Sequence, residues 1–90
     1  MGVVMFHSKV KDFSSWKKTF DANESYRKGA GISNARVFRS AENGAEVVVL
    51  MDFQDLAKAK QFSKSTELKA KMTEAGVIGP SEIIFLDAAS

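Results

Sequence analysis

Three side chains able to carry chemistry occur once each in this sequence: His7, Trp16 and Tyr26. An imidazole titrates near neutrality, so His7 is a candidate general base or hydrogen-bond donor at a pocket wall. The same residue also fits a strand histidine hydrogen-bonded between apolar neighbours. Trp16 offers a large ring that either stacks on an aromatic ligand or packs into the core. Tyr26, with Asn23 nearby, reads as a ligand contact or as a half-exposed helix residue. Arg36 is expected on an apolar strand face with Phe38 and Met51. A cation there clamps a ligand carboxylate or phenolate, pairs with a neighbouring acid, or snorkels at the sheet edge. Phe38 and Phe62 are the further aromatic candidates for a pocket wall.

Other chemistries find no support. With no cysteine in the chain, a thiolate nucleophile, an iron–sulfur cluster and a Cys-based zinc site are excluded. No metal site and no tightly bound cofactor are expected. No Ser/His/Asp arrangement, paired catalytic carboxylates or phosphate loop stands out. Gly29-x-Gly31 is a helix stop, because no strand precedes it as a dinucleotide fingerprint requires. Asp52 and Asp55 read as a helix start favoured by the dipole. Met1, Met5, Met51 and Met72 are gap-fillers.

The elements that must position these residues follow from periodicity. Val3 to Val10 reads as a strand with both faces largely apolar. Asp12 is a helix N-cap. Phe13, Trp16, Phe20 and Asn23 or Arg27 then recur at helical steps, and Gly29 and Gly31 end the helix. Ile32 to Ala41 and Ala45 to Phe53 read as a hairpin about Asn43-Gly44. With those two residues as the loop, Phe38 faces Val49 and Arg36 faces Met51. A second helical region runs from about Asp55 to Ala75, interrupted near Ser65, itself a candidate cap. Gly76 stops it, and Glu82 to Asp87 reads as a final strand.

This order, βαββαβ, predicts an α+β, ferredoxin-like domain over residues 1–90, with a four-stranded antiparallel sheet and two helices on one face. The helices cover one sheet face only. The other is apolar too, so a homodimer through that face is the economical expectation. The topology serves many functions. Residues 45–51 of the third strand lack the aromatics that an RNA-recognition motif needs. Thirteen Lys and Arg against eleven Asp and Glu form no dense basic block, so no nucleic-acid partner is expected. No segment reaches the length of a membrane span and no signal peptide is visible. The expectation is a cytoplasmic protein without membrane contact.

The run His7-Ser8-Lys9-Val10-Lys11-Asp12-Phe13-Ser14-Ser15-Trp16-Lys17-Lys18-Thr19-Phe20-Asp21 resembles the opening of small dimeric α/β-barrel proteins. These are related to the antibiotic biosynthesis monooxygenases and are often labelled cyclase-like. Arg36-Val37-Phe38-Arg39 with Glu46 to Leu50 agrees. So do Ala59 to Ser63 with Ser65 to Leu68, and Ala75-Gly76-Val77 with Gly79-Pro80. The resemblance implies two protomers packed sheet to sheet to close a barrel, with a small pocket between each sheet and its helices. It implies relatives that oxidise aromatic polyketides without metal or flavin, or that bind and break haem. Haem breakers hold their iron through a helical His, whereas His7 is on a strand. Some cofactor-free relatives keep a Trp, an Asn and a Tyr near substrate, and Trp16, Asn23 and Tyr26 are available here.

Two functions of different class follow. One is an enzyme acting on a hydrophobic, aromatic molecule without a tightly bound cofactor. In it His7 moves a proton, Arg36 holds a developing anion, and the aromatics exclude water. The other is a non-catalytic dimer that binds a small ligand or a partner protein.

Overall fold

The computed structural model describes residues 2–87. Met1 and residues 88–90 of the expected domain lie outside it. The strands are β1 (Gly2–Val10), β2 (Ile32–Arg39), β3 (Glu46–Phe53) and β4 (Val77–Asp87). The helices are α1 (Phe13–Ala22), α2 (Glu24–Gly29), α3 (Leu56–Lys64) and α4 (Thr66–Glu74). The sheet is antiparallel throughout, in the order β2-β3-β1-β4. This is the ferredoxin-like arrangement, with the two expected helices each broken in two.

Alternation along β1 and β3 decides which side chains meet the helices. Val4, Phe6, Ser8 and Val10 of β1 are buried, as are Val47, Val49, Met51 and Phe53 of β3. They pack with Trp16, Ile32, Ala59 and Phe62 into one core. The intervening residues Val3, Met5 and His7 face the other way, beside Val48 and Leu50. Gly2 makes the closest approach in the sheet. A Cβ there would lie 2.6 Å from the Leu86 carbonyl oxygen and 2.6 Å from the Phe53 ring, so only glycine fits.

Caps fix the helix starts. The Asp12 carboxylate accepts the Ser15 N–H at 2.9 Å, Asp55 accepts those of Ala57 and Lys58, and Ser65 Oγ accepts that of Leu68. The break between α3 and α4 at Ser65 is the expected one. The break at Asn23 was not expected. There the backbone leaves helical geometry (φ −98°, ψ 15°), and the Asn23 amide donates back to the Thr19 carbonyl at 3.0 Å.

The β2–β3 connection departs from the two-residue loop. Ser40 Oγ accepts the N–H groups of Glu42 and Asn43, and Asn43 Oδ1 accepts that of Ala45. These side-chain bonds build a longer turn over residues 40–45. The register moves by one residue: Phe38 pairs with Val48, Arg36 with Leu50, and Val37 with Val49. A one-residue shift turns every side chain to the other face. Val37 therefore faces the helices, while Arg36 and Phe38 do not. Nearer the start of β2, a bulge between Ser33 and Arg36, with Asn34 at φ 49°, returns Ile32 to the core.

The last strand starts at Val77 rather than Glu82. Gly79, at φ 70°, and Pro80 form part of an irregularity opposite Ser8 instead of ending the strand. Proline is tolerated because β4 is an edge strand.

Candidate functional site

Between the helix-facing side of the sheet and the helices lies a small cavity of about 80 Å³. Its floor is sheet: Phe6 and Ser8 from β1, Val49 and Met51 from β3, Val77 from β4. One wall is α1 and α2, which bring Trp16, Phe20, Asn23, Tyr26 and Arg27. The break at Asn23 matters here, because it lets residues of both helices reach one space. Phe62 of α3 closes the far end, and Leu68, Lys71 and Met72 of α4 form the outer wall.

The rings form a connected lining. Trp16 stacks on Phe20 with centroids 5.0 Å apart, and Phe62 meets Tyr26 at 5.7 Å and Phe6 at 6.4 Å. Such contacts add specific geometry to area burial. Tyr26 Oη lies 3.3 Å from Ser65 Oγ, tying the ring to the α4 cap. On the floor, Ser8 Oγ is 2.7 Å from Ser81 Oγ, which satisfies a buried hydroxyl.

The polar groups on the lining are mostly donors. Arg27 is only 8% exposed. It donates to the Phe20 carbonyl through Nη1 at 2.6 Å and lies over the Phe20 ring at 3.7 Å. Burial pulls its pKa below the ordinary value, opposed by the charges of Glu24 and Asp21. Lys71 Nζ donates to Asn23 Oδ1 at 3.2 Å and lies 4.8 Å from the Tyr26 ring centre. Neither cation forms an ion pair among the described residues. Among the described residues, no carboxylate and no imidazole is on the cavity lining.

Of the residues singled out in the sequence, Trp16, Tyr26 and Phe62 come together here, joined by Asn23. His7, Arg36 and Phe38 do not. His7 is on the opposite sheet face, its Nε2 3.0 Å from Glu46 Oε1 and its Nδ1 3.8 Å from Glu82 Oε1. Arg36 donates to Asp52 at 3.1 Å on that same face, and Phe38 is 53% exposed there. Strand parity is the reason for His7, and the shifted hairpin register for the other two. Arg27 and Lys71 were not among the site residues expected from the sequence. A signal for Arg27 was present: it falls on the apolar stripe of Trp16 and Phe20, where a cation needs a reason. Lys71 carried none.

A cavity of this size is about half of the roughly 150 Å³ that takes a benzene ring in an apolar protein core. A ligand with a ring therefore displaces side chains of the wall. The outer wall is the cavity's least buried side: α4 has no fully buried residue, and Leu68 and Met72 pack half-buried against the core. Among the described residues no cluster of three or more His, Asp or Glu side chains gathers to hold a metal. No helix there is long and apolar enough to cross a membrane.

No protein-family model and no curated protein matches the sequence. Solved structures do match the fold. An assigned antibiotic biosynthesis monooxygenase from Bordetella bronchiseptica superposes with a TM-score of 0.79 at 11% identity, covering 100% of both chains. Another, from Caulobacter crescentus CB15, gives 0.74 at 20% identity, over 99% of this chain and 90% of that one. SnoaB, a cofactor-independent oxygenase from Streptomyces nogalater, gives 0.75 at 12% identity, over 99% and 93%. At these identities the likeness establishes a shared fold, that of the antibiotic biosynthesis monooxygenase structures.

Proposed function

We propose that this chain is a small-molecule enzyme of the antibiotic biosynthesis monooxygenase-like, cyclase-like type, working as a cytoplasmic homodimer on a hydrophobic aromatic substrate without a tightly bound cofactor. The observation that carries the reading is the aromatic-walled cavity, in which Trp16, Asn23 and Tyr26 meet two cations. The fold shared with a cofactor-independent oxygenase supports it.

Without a cofactor, the electrons that reduce dioxygen come from the substrate. An electron-rich phenol supplies them once its proton is lost. One oxygen atom enters the ring carbon as a quinone carbonyl and the other leaves as water. One phenol and one dioxygen thus give one benzoquinone and one water. The anion formed on the way needs stabilising donors in a dry site. Arg27 and Lys71 occupy the position for that, a role the sequence had suggested for Arg36. With no imidazole or carboxylate on the lining, the proton goes to water or is lost before binding.

The homodimer rests on the open sheet face. Phe38, Ile84 and Leu86 are more than two-fifths exposed there, alongside Val3, Met5, Val48 and Leu50. A second copy would cover this exposed apolar face and add to the burial of a small domain.

The test is uptake of isotopically labelled dioxygen. Protein with a phenol panel under the labelled gas is expected to give quinones with one labelled oxygen, faster than buffer. Rates equal to buffer across the panel sink the oxygenase reading. The absent base on the lining favours a second reading, a non-catalytic ligand-binding dimer. That reading is supported if phenols bind at Trp16 and none is turned over.

A further inference from the structure

We infer that the ligand of this cavity is a carboxylate on a body no larger than a single aromatic ring. The inference deepens the proposed function and rests on its reading of the cavity as a ligand site. Three observations combine. The first is charge: among the described residues the lining has two cations, Arg27 and Lys71, and no acid, and neither cation is in an ion pair with a carboxylate. The Arg27 guanidinium is more than nine-tenths buried and has Glu24 and Asp21 near it only at a distance, with no carboxylate in direct contact among the described residues, and burying a charge without a direct partner is costly. An anion entering the cavity supplies the direct partner that Glu24 and Asp21 do not.

The second is donor geometry. Lys71 carries three N–H donors, and the structure shows one, to Asn23 Oδ1. Arg27 carries five, and the structure shows one, to the Phe20 carbonyl. Asn23 turns its oxygen to Lys71 and its amide to Thr19, so its acceptor is already engaged. The site has donors left over, which is what a carboxylate requires and what a neutral ketone or ether does not use fully.

The third is size. Near 80 Å³, the cavity admits one ring once the half-buried Leu68 and Met72 of α4 shift. A fused polycycle needs far more than this volume, and on the sheet and α1 sides Trp16, Val49 and Met51 are all buried.

Trp16 is the chain's one tryptophan and lines the cavity, so its fluorescence reports occupancy directly. The probes are benzoate and benzamide, matched in shape and differing in charge. Benzoate is expected to shift the Trp16 emission and to bind at least about tenfold more tightly than benzamide, as charge-assisted hydrogen bonds are stronger than neutral ones. Lys71→Met is expected to weaken benzoate by about tenfold and leave benzamide within about twofold, because only the charged contact is lost. Lys71→Gln and Arg27→Lys repeat the measurement, with circular dichroism verifying the fold of each.

If benzamide binds as tightly as benzoate, or Lys71→Met weakens both alike, the carboxylate inference is overturned while the aromatic ligand site stands. If neither probe binds but phenol does, it is again the inference that falls. If none of the three shifts the Trp16 emission, the cavity reading itself fails and the inference falls with it.

Discussion

Trp16 is the residue on which wall and readout both depend. Trp16→Ala removes the ring that stacks on Phe20 and lines the cavity beside it. It should cost about 3–5 kcal/mol of stability in chemical denaturation, the range for large aromatic truncations in a core. Trp16→Phe should keep the fold and separate packing from ligand contact. His7 offers the opposite test. Its partners are Glu46 and Glu82, across the sheet from the cavity. His7→Ala should therefore leave benzoate affinity within about twofold, since groups without shared partners act additively. A larger loss would mean that the open face and the cavity are coupled. Trp16 and Phe62 were legible as pocket candidates because each is an aromatic ring on an apolar helical stripe, and Tyr26 only through the family resemblance. His7 and Arg36 were not, because a strand shows its period in sequence but not which of its faces the helices will cover.

At the scale of the elements, caps carry the local order. The Asp12 carboxyl has its pKa held below the ordinary 3.8 by the Ser15 main-chain N–H, then by the Ser15 hydroxyl, with smaller help from Arg39 and Lys18. A carboxyl depressed in the folded state stabilises it above the unfolded pKa and loses that effect as pH falls through the folded one. The start of α1 should therefore weaken as pH drops below 3.8. Asp12→Asn should flatten that part of the melting-temperature profile, and an unchanged profile would remove Asp12 from the acid response. Ser65 caps α4 and touches Tyr26. Ser65→Ala should cost about 1 kcal/mol in denaturation and loosen the outer cavity wall. The cap at Ser65 was readable because a serine there interrupts a helical pattern. The break at Asn23 was not, since an asparagine on an apolar stripe carries no stop signal. The hairpin misled for a related reason: Asn43-Gly44 is a strong turn signal, yet the side chains of Ser40 and Asn43 bind the backbone around it and set a different register.

For the whole molecule, the two sheet faces can be separated by neighbouring residues of β3. Val48 faces outward and Val49 is 3% exposed in the core. Val48→Glu should leave a folded protein that sediments as a monomer, whereas Val49→Glu should unfold it, because a lone charge cannot be buried there. A folded dimer in Val48→Glu would reject pairing through this face. The order of elements and the sheet's antiparallel form were readable from periodicity and from the helix stops. A pocket between sheet and helices was implied by the family resemblance, but its lining was not readable from periodicity, because it draws side chains from every element except β2.

Both outer strands carry an irregularity: β2 between Ser33 and Arg36, and β4 about Gly79-Pro80. An unbroken margin would offer a ladder of free amides and carbonyls on which another chain could extend the sheet indefinitely. Here Pro80 has no amide to give, and Asn34, at φ 49°, interrupts the run on the other side. Lateral growth into fibres is discouraged at both rims, while the apolar face stays open. The homodimer proposed above, made through that face alone, would close on itself and stop.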